Sequence, residues 1–412
     1  MQSSAVLIRP LAPSEAFLGE TGGYIGYSAR VRGHLDRAAV WEAFEALRRS
    51  YPVLASRIAY DATGRAVIEE DQDFLPVVSR HDISPQEKGS DDPLLGLPDP
   101  QGRTAAVHIA QDDPDQAWVT LLTHHAIADG HHSLQLLADL WRFYADIVDG
   151  RAVWPNRHGY PRPLEELLSE RGITTDTPTA TDSTTPTTPV APINLDHPRT
   201  PQPTTERIRL TIEETQALVE FGHQANTTIN GLVSAALLKA TADTLDVGIG
   251  DLTYQYVVDL RTRLTPSVGY TEGTNVLGMA HFTADTDADT GIATLARAVS
   301  GKLARDLAAG EIQRSALRPD EHTYISARIV STNWGKIPPL NTPQRLTIED
   351  FRPTIHPTNP QPTLPDRPSN IGTFYVITTF NGQLTIEPLL APRPDATVAA
   401  DRIRALLTDI PH

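Results

Sequence analysis

The sequence predicts a mixed α/β (or α+β) protein built as two lobes of similar size. Strand-period and helix-period patterns alternate through both halves of the chain. A stretch rich in Thr, Pro, Asp and Ser, 174–206, separates those halves. At 412 residues the chain is long for one domain and comfortable for two. The expected organisation is an N-terminal lobe at 1–173, a linker at 174–206 and a C-terminal lobe at 207–412. The linker has too few large apolar groups to offset its chain entropy. An O-glycosylated stalk is the functional alternative for it.

In chain order, 5–9 reads as a short strand and 23–32 as a longer one that stops at Gly33. A helix follows, with Asp36 near its start and Leu35, Ala38, Val40, Phe44 and Leu47 as its apolar positions; Pro52 ends it and turns the chain extended. Further strands are expected at 65–70 and 75–78, then a pair at 105–110 and 117–123 around the turn-forming run Gln111-Asp112-Asp113-Pro114-Asp115. Leu134, Leu137, Ala138, Trp141 and Tyr144 mark one face of a helix that runs to about Asp149-Gly150, and 163–171 reads as a shorter one. Past the linker, strands are expected at 207–210, 253–260, 279–283, 325–331 and 374–380, and helices at 212–226, 228–244, 292–309 and 398–407. Asn381-Gly382 between two strand-like runs is a hairpin signal. The proline-rich piece 357–368 reads as a loop insertion.

Composition narrows the function classes. The net charge is −16 and no basic stripe is visible, which argues against a nucleic-acid reader. No apolar run reaches the roughly 18 residues of a membrane span. The opening residues carry no signal-peptide pattern, and a chain without cysteine fits the expected cytoplasmic location. Cysteine is absent, which removes disulfides, thiolate metal sites and a cysteinyl acyl-enzyme.

The chemistry-bearing stretch is Thr123-His124-His125-Ala126-Ile127-Ala128-Asp129-Gly130. It lies where an apolar strand gives way to a loop, a place where a rigid element aims a side chain at a ligand. A histidine there can act as a general base near neutral pH. Side chains alternate along a strand, so His124 and His125 are expected to face opposite ways. Gly130 is expected to permit a turn that other residues resist. Two other readings stay open on the residues alone. The histidines can be ordinary packing residues, or the four at 124, 125, 131 and 132 can bind a metal, although adjacent pairs point apart and no H-x-x-x-H helix spacing with a glutamate appears.

His124-His125-Ala126-Ile127-Ala128-Asp129-Gly130 is an HHxxxDG motif and resembles that of the chloramphenicol acetyltransferase, plant BAHD acyltransferase and condensation-domain superfamily. Four runs in order resemble its polyketide-associated branch, the phthiocerol/phthiodiolone dimycocerosyl transferases: 51–56, His124 to His132, Tyr256-Val257-Val258-Asp259-Leu260-Arg261, and Thr274-Asn275-Val276-Leu277-Gly278. The Thr/Pro linker and the 357–368 insertion depart from that pattern. The plant-type DFGWG motif is absent. Ser331-Thr332-Asn333-Trp334-Gly335 stands in its region and is closer to the Ser-Asn-x-Gly type of condensation domains.

The resemblance implies two chloramphenicol acetyltransferase-like lobes with a tunnel between them. It implies an acyltransferase that moves an acyl group from a CoA or acyl-carrier-protein thioester to an alcohol, a lipid diol or a polyketide hydroxyl, with no cofactor. His125 is the implied base. Asp129 is implied to be structural, paired with Arg261. Ser331, Thr332 and Asn333 are candidate oxyanion donors, and Tyr256 and Asn275 candidate tunnel-lining residues, with packing and turn roles as their alternatives. His131 and His132 fall in the first turn of the following helix, where similar proteins also carry a pair; a helix N-terminus disfavours a charged imidazole, so neutral hydrogen-bonding roles are expected. Carrier-protein docking would require a basic patch; Lys302, Arg305, Arg314 and Arg318 group near Gly310, where a solvated face is the plainer reading. A non-catalytic binding protein on this fold and a histidine-cluster metal enzyme are the competing functions.

Overall fold

The computed structural model describes residues 6–71, 77–84, 87, 90–174, 206–285, 290–315, 317, 329–356, 373–389 and 396–409. The linker at 175–205, the expected strand residues 75–76 and 325–328, Arg318 and the 357–368 insertion lie outside them.

The chain begins with β1 (Leu7–Pro10), α1 (Pro13–Gly22), β2 (Tyr24–Gly33) and α2 (Arg37–Ser50). Asp36 caps α2 by accepting from Ala39 N at 3.1 Å. Pro52 stops α2 and opens a single 3-10 turn, Pro52–Ala55, before β3 (Ser56–Tyr60). β4 (Ala66–Glu70), β5 (Val78–Asp82), β6 (Ala105–Asp113), β7 (Gln116–His124), α3 (Gly130–Val148) and α4 (Leu164–Ser169) follow. After the linker come β8 (Ile208–Arg209), α5 (Ile212–Gln224), α6 (Ile229–Leu245), β9 (Tyr254–Asp259), β10 (Leu277–Phe282), α7 (Ile292–Ala308) and α8 (Glu311–Ser315). The chain closes with β11 (Ile329–Lys336), β12 (Leu346–His356), β13 (Thr373–Phe380), β14 (Gln383–Pro388) and α9 (Ala396–Thr408).

Two of these elements escape the sequence patterns. In α1, glycines interrupt any apolar stripe; Pro13 at its first position and the Glu15 carboxylate, which accepts from Ala12 N at 2.8 Å, start the helix instead. β12 carries Pro353 and the acidic pair Glu349-Asp350, which interrupt a strand pattern. It is tolerated as a strand because it lies at a sheet edge, where a missing N–H leaves no ladder bond unmade.

The chain forms two compact units that are not consecutive halves. The first takes residues up to 202 and, in addition, 264–276 and 338–360; the second takes 203–263, 277–337 and 361–412. In the first unit a five-stranded sheet runs β12-β2-β7-β6-β5, antiparallel except for β5 beside β6. β1, β4 and β3 form a small antiparallel sheet. One face of the large sheet, through Tyr24, Ala106 and Leu122, buries Leu94 and Leu97. Its other face meets α3, where the Thr123 hydroxyl lies 2.9 Å from that of Ser133. α2 and α3 bury Phe44, Leu47, Leu137 and Trp141, an area gain of about 1.5–3 kcal/mol per large side chain.

In the second unit a six-stranded mixed sheet runs β10-β9-β11-β13-β14-β8, with β9, β11 and β13 parallel. Asn381 and Gly382, at φ 47° and 81°, make the β13–β14 hairpin turn, which needs two left-handed residues. α6 is apolar nearly all round, and Leu232, Ala235, Ala236, Leu237 and Leu238 are fully enclosed.

Candidate active site

β7 ends on His124. Its ring lies on the Tyr24 face of the sheet, edge-on to Tyr24 with centroids 5.0 Å apart, and is buried. Nδ1 of His124 accepts from Ala126 N at 3.2 Å, which holds the imidazole neutral and braces the turn. Burial, helped by the neighbouring His125, pushes its pKa down to about 4.

His125 stands one residue beyond the strand. Its N–H donates to Gly23 O at 2.8 Å, and its carbonyl accepts from Asn275 Nδ2 at 2.8 Å. Both backbone groups are thus tied while the side chain stays partly exposed. Among the described residues its Nδ1 is buried and makes no hydrogen bond of ordinary geometry. Burial lowers the pKa of His125; the Asp129 carboxylate, the carbonyls of His125 itself and Ala128, and Asn275 oppose that shift.

Asp129 is fully buried and works as a staple. Oδ1 caps α3 by accepting from His132 N at 3.0 Å, and Oδ2 accepts from Val276 N at 2.8 Å. Its own N–H donates to Thr274 O at 3.0 Å. Gly130 is the first residue of α3 and is not among the glycines with positive φ. The expectation that the turn exploits a glycine conformation is therefore corrected: the extended backbone of Asp129, φ −89° and ψ −175°, makes the entry into the helix.

The partners of this loop come from 264–276. His132 Nδ1 lies 3.1 Å from Gly273 O, and the rings of His131 and Tyr270 stack with centroids 6.4 Å apart. Thr274 Oγ1 donates to Glu15 at 2.9 Å, Thr274 N to Arg162 O at 3.0 Å, and Arg171 Nε to Pro266 O at 2.8 Å. Glu15 is fully buried and bound by both Nη atoms of Arg9 at 2.6 and 2.8 Å. The Thr274-Asn275-Val276 run is the one signal of this brace in the sequence; Gly273 gives none, and the contacts of Gly273 and Val276 are made by backbone atoms.

The other expected site residues lie in the second unit. Arg261 is buried and its Nη1 donates to Asp259 at 3.0 Å. Tyr254 and Tyr256 stack with centroids 5.0 Å apart, and the buried Tyr256 hydroxyl makes no hydrogen bond among the described residues. Ser331 lies 2.6 Å from the Tyr254 hydroxyl, which lies 2.9 Å from Ser234. Ser234 donates to Asn230 O at 2.8 Å. One proton per hydroxyl then fixes the direction: Tyr254 donates to Ser234, and Ser331 donates to Tyr254. Asn333 Nδ2 donates to Asn230 at 3.1 Å, and its Oδ1 accepts from Gly335 N at 2.8 Å. Thr332, half-buried, points to the other face of β11. Near the helix end of the expected basic patch, Lys302 is paired with Asp306 at 2.6 Å and Arg314 donates to Ala309 O at 2.8 Å.

Among the described residues no group of His, Asp or Glu converges to hold a metal, and no helix is long and apolar enough to cross a membrane.

Two mixed α/β units, with an HHxxxDG turn between a sheet strand and a capped helix, define an acyltransferase of the chloramphenicol acetyltransferase and condensation-domain type. The comparisons specify the branch. The model of the phthiocerol/phthiodiolone dimycocerosyl transferase C-terminus matches 199–389. A phthiocerol/phthiodiolone dimycocerosyl transferase of Mycobacterium ulcerans is 31% identical over 98% of this chain and 97% of its own. Polyketide synthase associated protein 5 of Mycobacterium tuberculosis superposes with a TM-score of 0.75 at 26% identity, over 98% of both chains. The first condensation domain of the CDA synthetase, at 15% identity, shares the fold with a TM-score of 0.64 over 98% of this chain and 97% of its own. The chain belongs to the phthiocerol/phthiodiolone dimycocerosyl transferase family.

Proposed function

We propose that this acyltransferase uses His125 as general base to pass an acyl group directly from a thioester to an alcohol. The observation that carries the reading is the state of His125: a partly exposed, burial-neutralised ring on a backbone fixed at both its N–H and its carbonyl. In the reaction, Nε2 takes the proton of the acceptor hydroxyl as its oxygen forms a bond to the thioester carbonyl carbon. The tetrahedral oxyanion collapses, the C–S bond breaks, and the thiolate takes the proton back from His125. Ester and free thiol are the products. No acyl-enzyme is needed, in keeping with a chain that has no cysteine.

The donor is an acyl-CoA or an acyl group on a carrier protein, and no cofactor enters the proton and bond balance. The acceptor class follows the relatives, which are named for transfer to phthiocerol and phthiodiolone: a long-chain lipid diol, or a polyketide hydroxyl. Asp129 and Arg261 are positioning groups in this reading. With the Ser331 proton engaged by Tyr254, oxyanion stabilisation falls to Thr332, the second Nδ2 proton of Asn333 or a backbone N–H.

A donor and acceptor screen tests this reading. Acetyl to palmitoyl groups, on CoA and on carrier protein, are offered with simple alcohols and long-chain diols, and products are read by mass spectrometry. Ester formation with one thiol released per ester is expected. Folded protein that gives no ester with any pair, or thioester hydrolysis alone, contradicts it.

A further inference from the structure

We infer that Asn275 is a positioning residue that sets the orientation of the His125 ring. The inference rests on the general-base reading above but has its own evidence. Asn275 is 1% exposed, and its Nδ2 reaches two consecutive carbonyls of the motif loop, His125 O at 2.8 Å and Ala126 O at 3.4 Å. Its Oδ1 is buried with no hydrogen bond among the described residues. A buried amide oxygen left unmet is unfavourable, and turning the amide over would set that oxygen against two carbonyls. The orientation is therefore dictated by donation to the loop, not by the needs of Asn275 itself. The nearer acceptor is the carbonyl of His125 itself, the residue whose ring is the base. With the His125 N–H already tied to Gly23, fixing that carbonyl fixes the backbone on which the ring is mounted and so the direction in which the ring points. Asn275 is itself held from both sides, since Thr274 is bound to Glu15 and Arg162 and Val276 to Asp129. A side chain 150 residues away in sequence thus aligns the base.

The test uses the full chain and two variants, Asn275→Ala and the isosteric Asn275→Asp, which keeps the shape and loses the donor. We expect kcat to fall on the order of 10²-fold in both, with KM changed by less than about threefold. In NMR of histidine-labelled protein, the ring nitrogen signals of His125, assigned by their loss in His125→Gln, move in both variants while the melt stays cooperative. If Asn275→Ala does not fold, Asn275→Asp carries the same test. Unshifted His125 ring signals, or a loss confined to KM, overturn the inference about Asn275 alone. Full turnover by His125→Ala overturns the general-base reading instead, whatever the ring signals do.

Discussion

The motif loop at 124–130 and the strand β11 both hold polar groups in buried surroundings, but they spend them differently. In the loop, the N–H and carbonyl of His125 and the N–H and carboxylate of Asp129 are tied down, while the His125 ring stays partly exposed. In β11, the Ser331 hydroxyl hands its proton to Tyr254, and Asn333 uses its amide on Asn230 and Gly335. One region is rigid and chemically open; the other is rigid because its side chains satisfy one another. A polar residue near a site is thus a candidate for chemistry only after its protons have been counted.

The largest expected effect falls on the open region. His125→Ala is expected to lower turnover by at least the roughly 10²–10⁴-fold typical of losing a general base, with a cooperative melt retained, since the side chain is partly exposed. Turnover near that of the parent protein in an esterase-free preparation would remove the distinction between the two regions.

Asp129→Ala removes a helix cap and strands the buried N–H of Val276. A loss of about 2–4 kcal/mol in urea unfolding is expected, combining about 1 kcal/mol for the cap with 1–3 for the orphaned donor. Activity falls as well, because the loop loosens. An unchanged unfolding midpoint would mean that Asp129 is not structural. A double-mutant cycle with Arg261→Gln measures whether these two residues are coupled.

Two buried histidines give the fold a pH dependence separate from that of the reaction. His108 donates or accepts at both ring nitrogens, with Ser79 at 2.8 Å and Leu95 O at 2.9 Å, and its pKa, like that of His124, is pushed by burial from 6.5 to about 4. Between those values the unfolded chain binds more protons than the folded one. Their contribution to stability is therefore complete above pH 6.5 and is lost as pH falls towards 4. The slope is at most about 1.4 kcal/mol per pH unit for each histidine. His108→Gln should flatten the acid side of a stability–pH curve, and an identical curve would show that His108 is not held neutral.

Ser331→Ala gives the smallest effect on rate. Its proton is already committed, so the loss in kcat should stay well short of the roughly 10²–10³-fold seen when an oxyanion donor is removed. A loss of that size would move Ser331 out of the closed hydroxyl chain and into the reaction.

Much of this was legible in the sequence and part of it was not. The strand, loop and helix around His124–Gly130 announce themselves by apolar periodicity, and Asp129 sits where a cap belongs. The brace from 264–276 is invisible to such patterns, because Gly273, Thr274 and Val276 act through backbone atoms that any residue supplies. β12 was hidden by Pro353, which sheet-edge geometry accepts, and α1 by its glycines. Gly130 misled in the opposite direction: a glycine after aspartate reads as a special turn, yet the helix simply starts there.

The central claim is that a neutral His125 is the base, and the pH dependence of kcat/KM tests it most directly. With burial holding the pKa of His125 below its ordinary 6.5, the profile should show an acid limb with its midpoint below that value, level above it, and absent from whatever activity His125→Gln retains. A limb centred above 6.5, or one that persists unchanged in His125→Gln, would contradict the account.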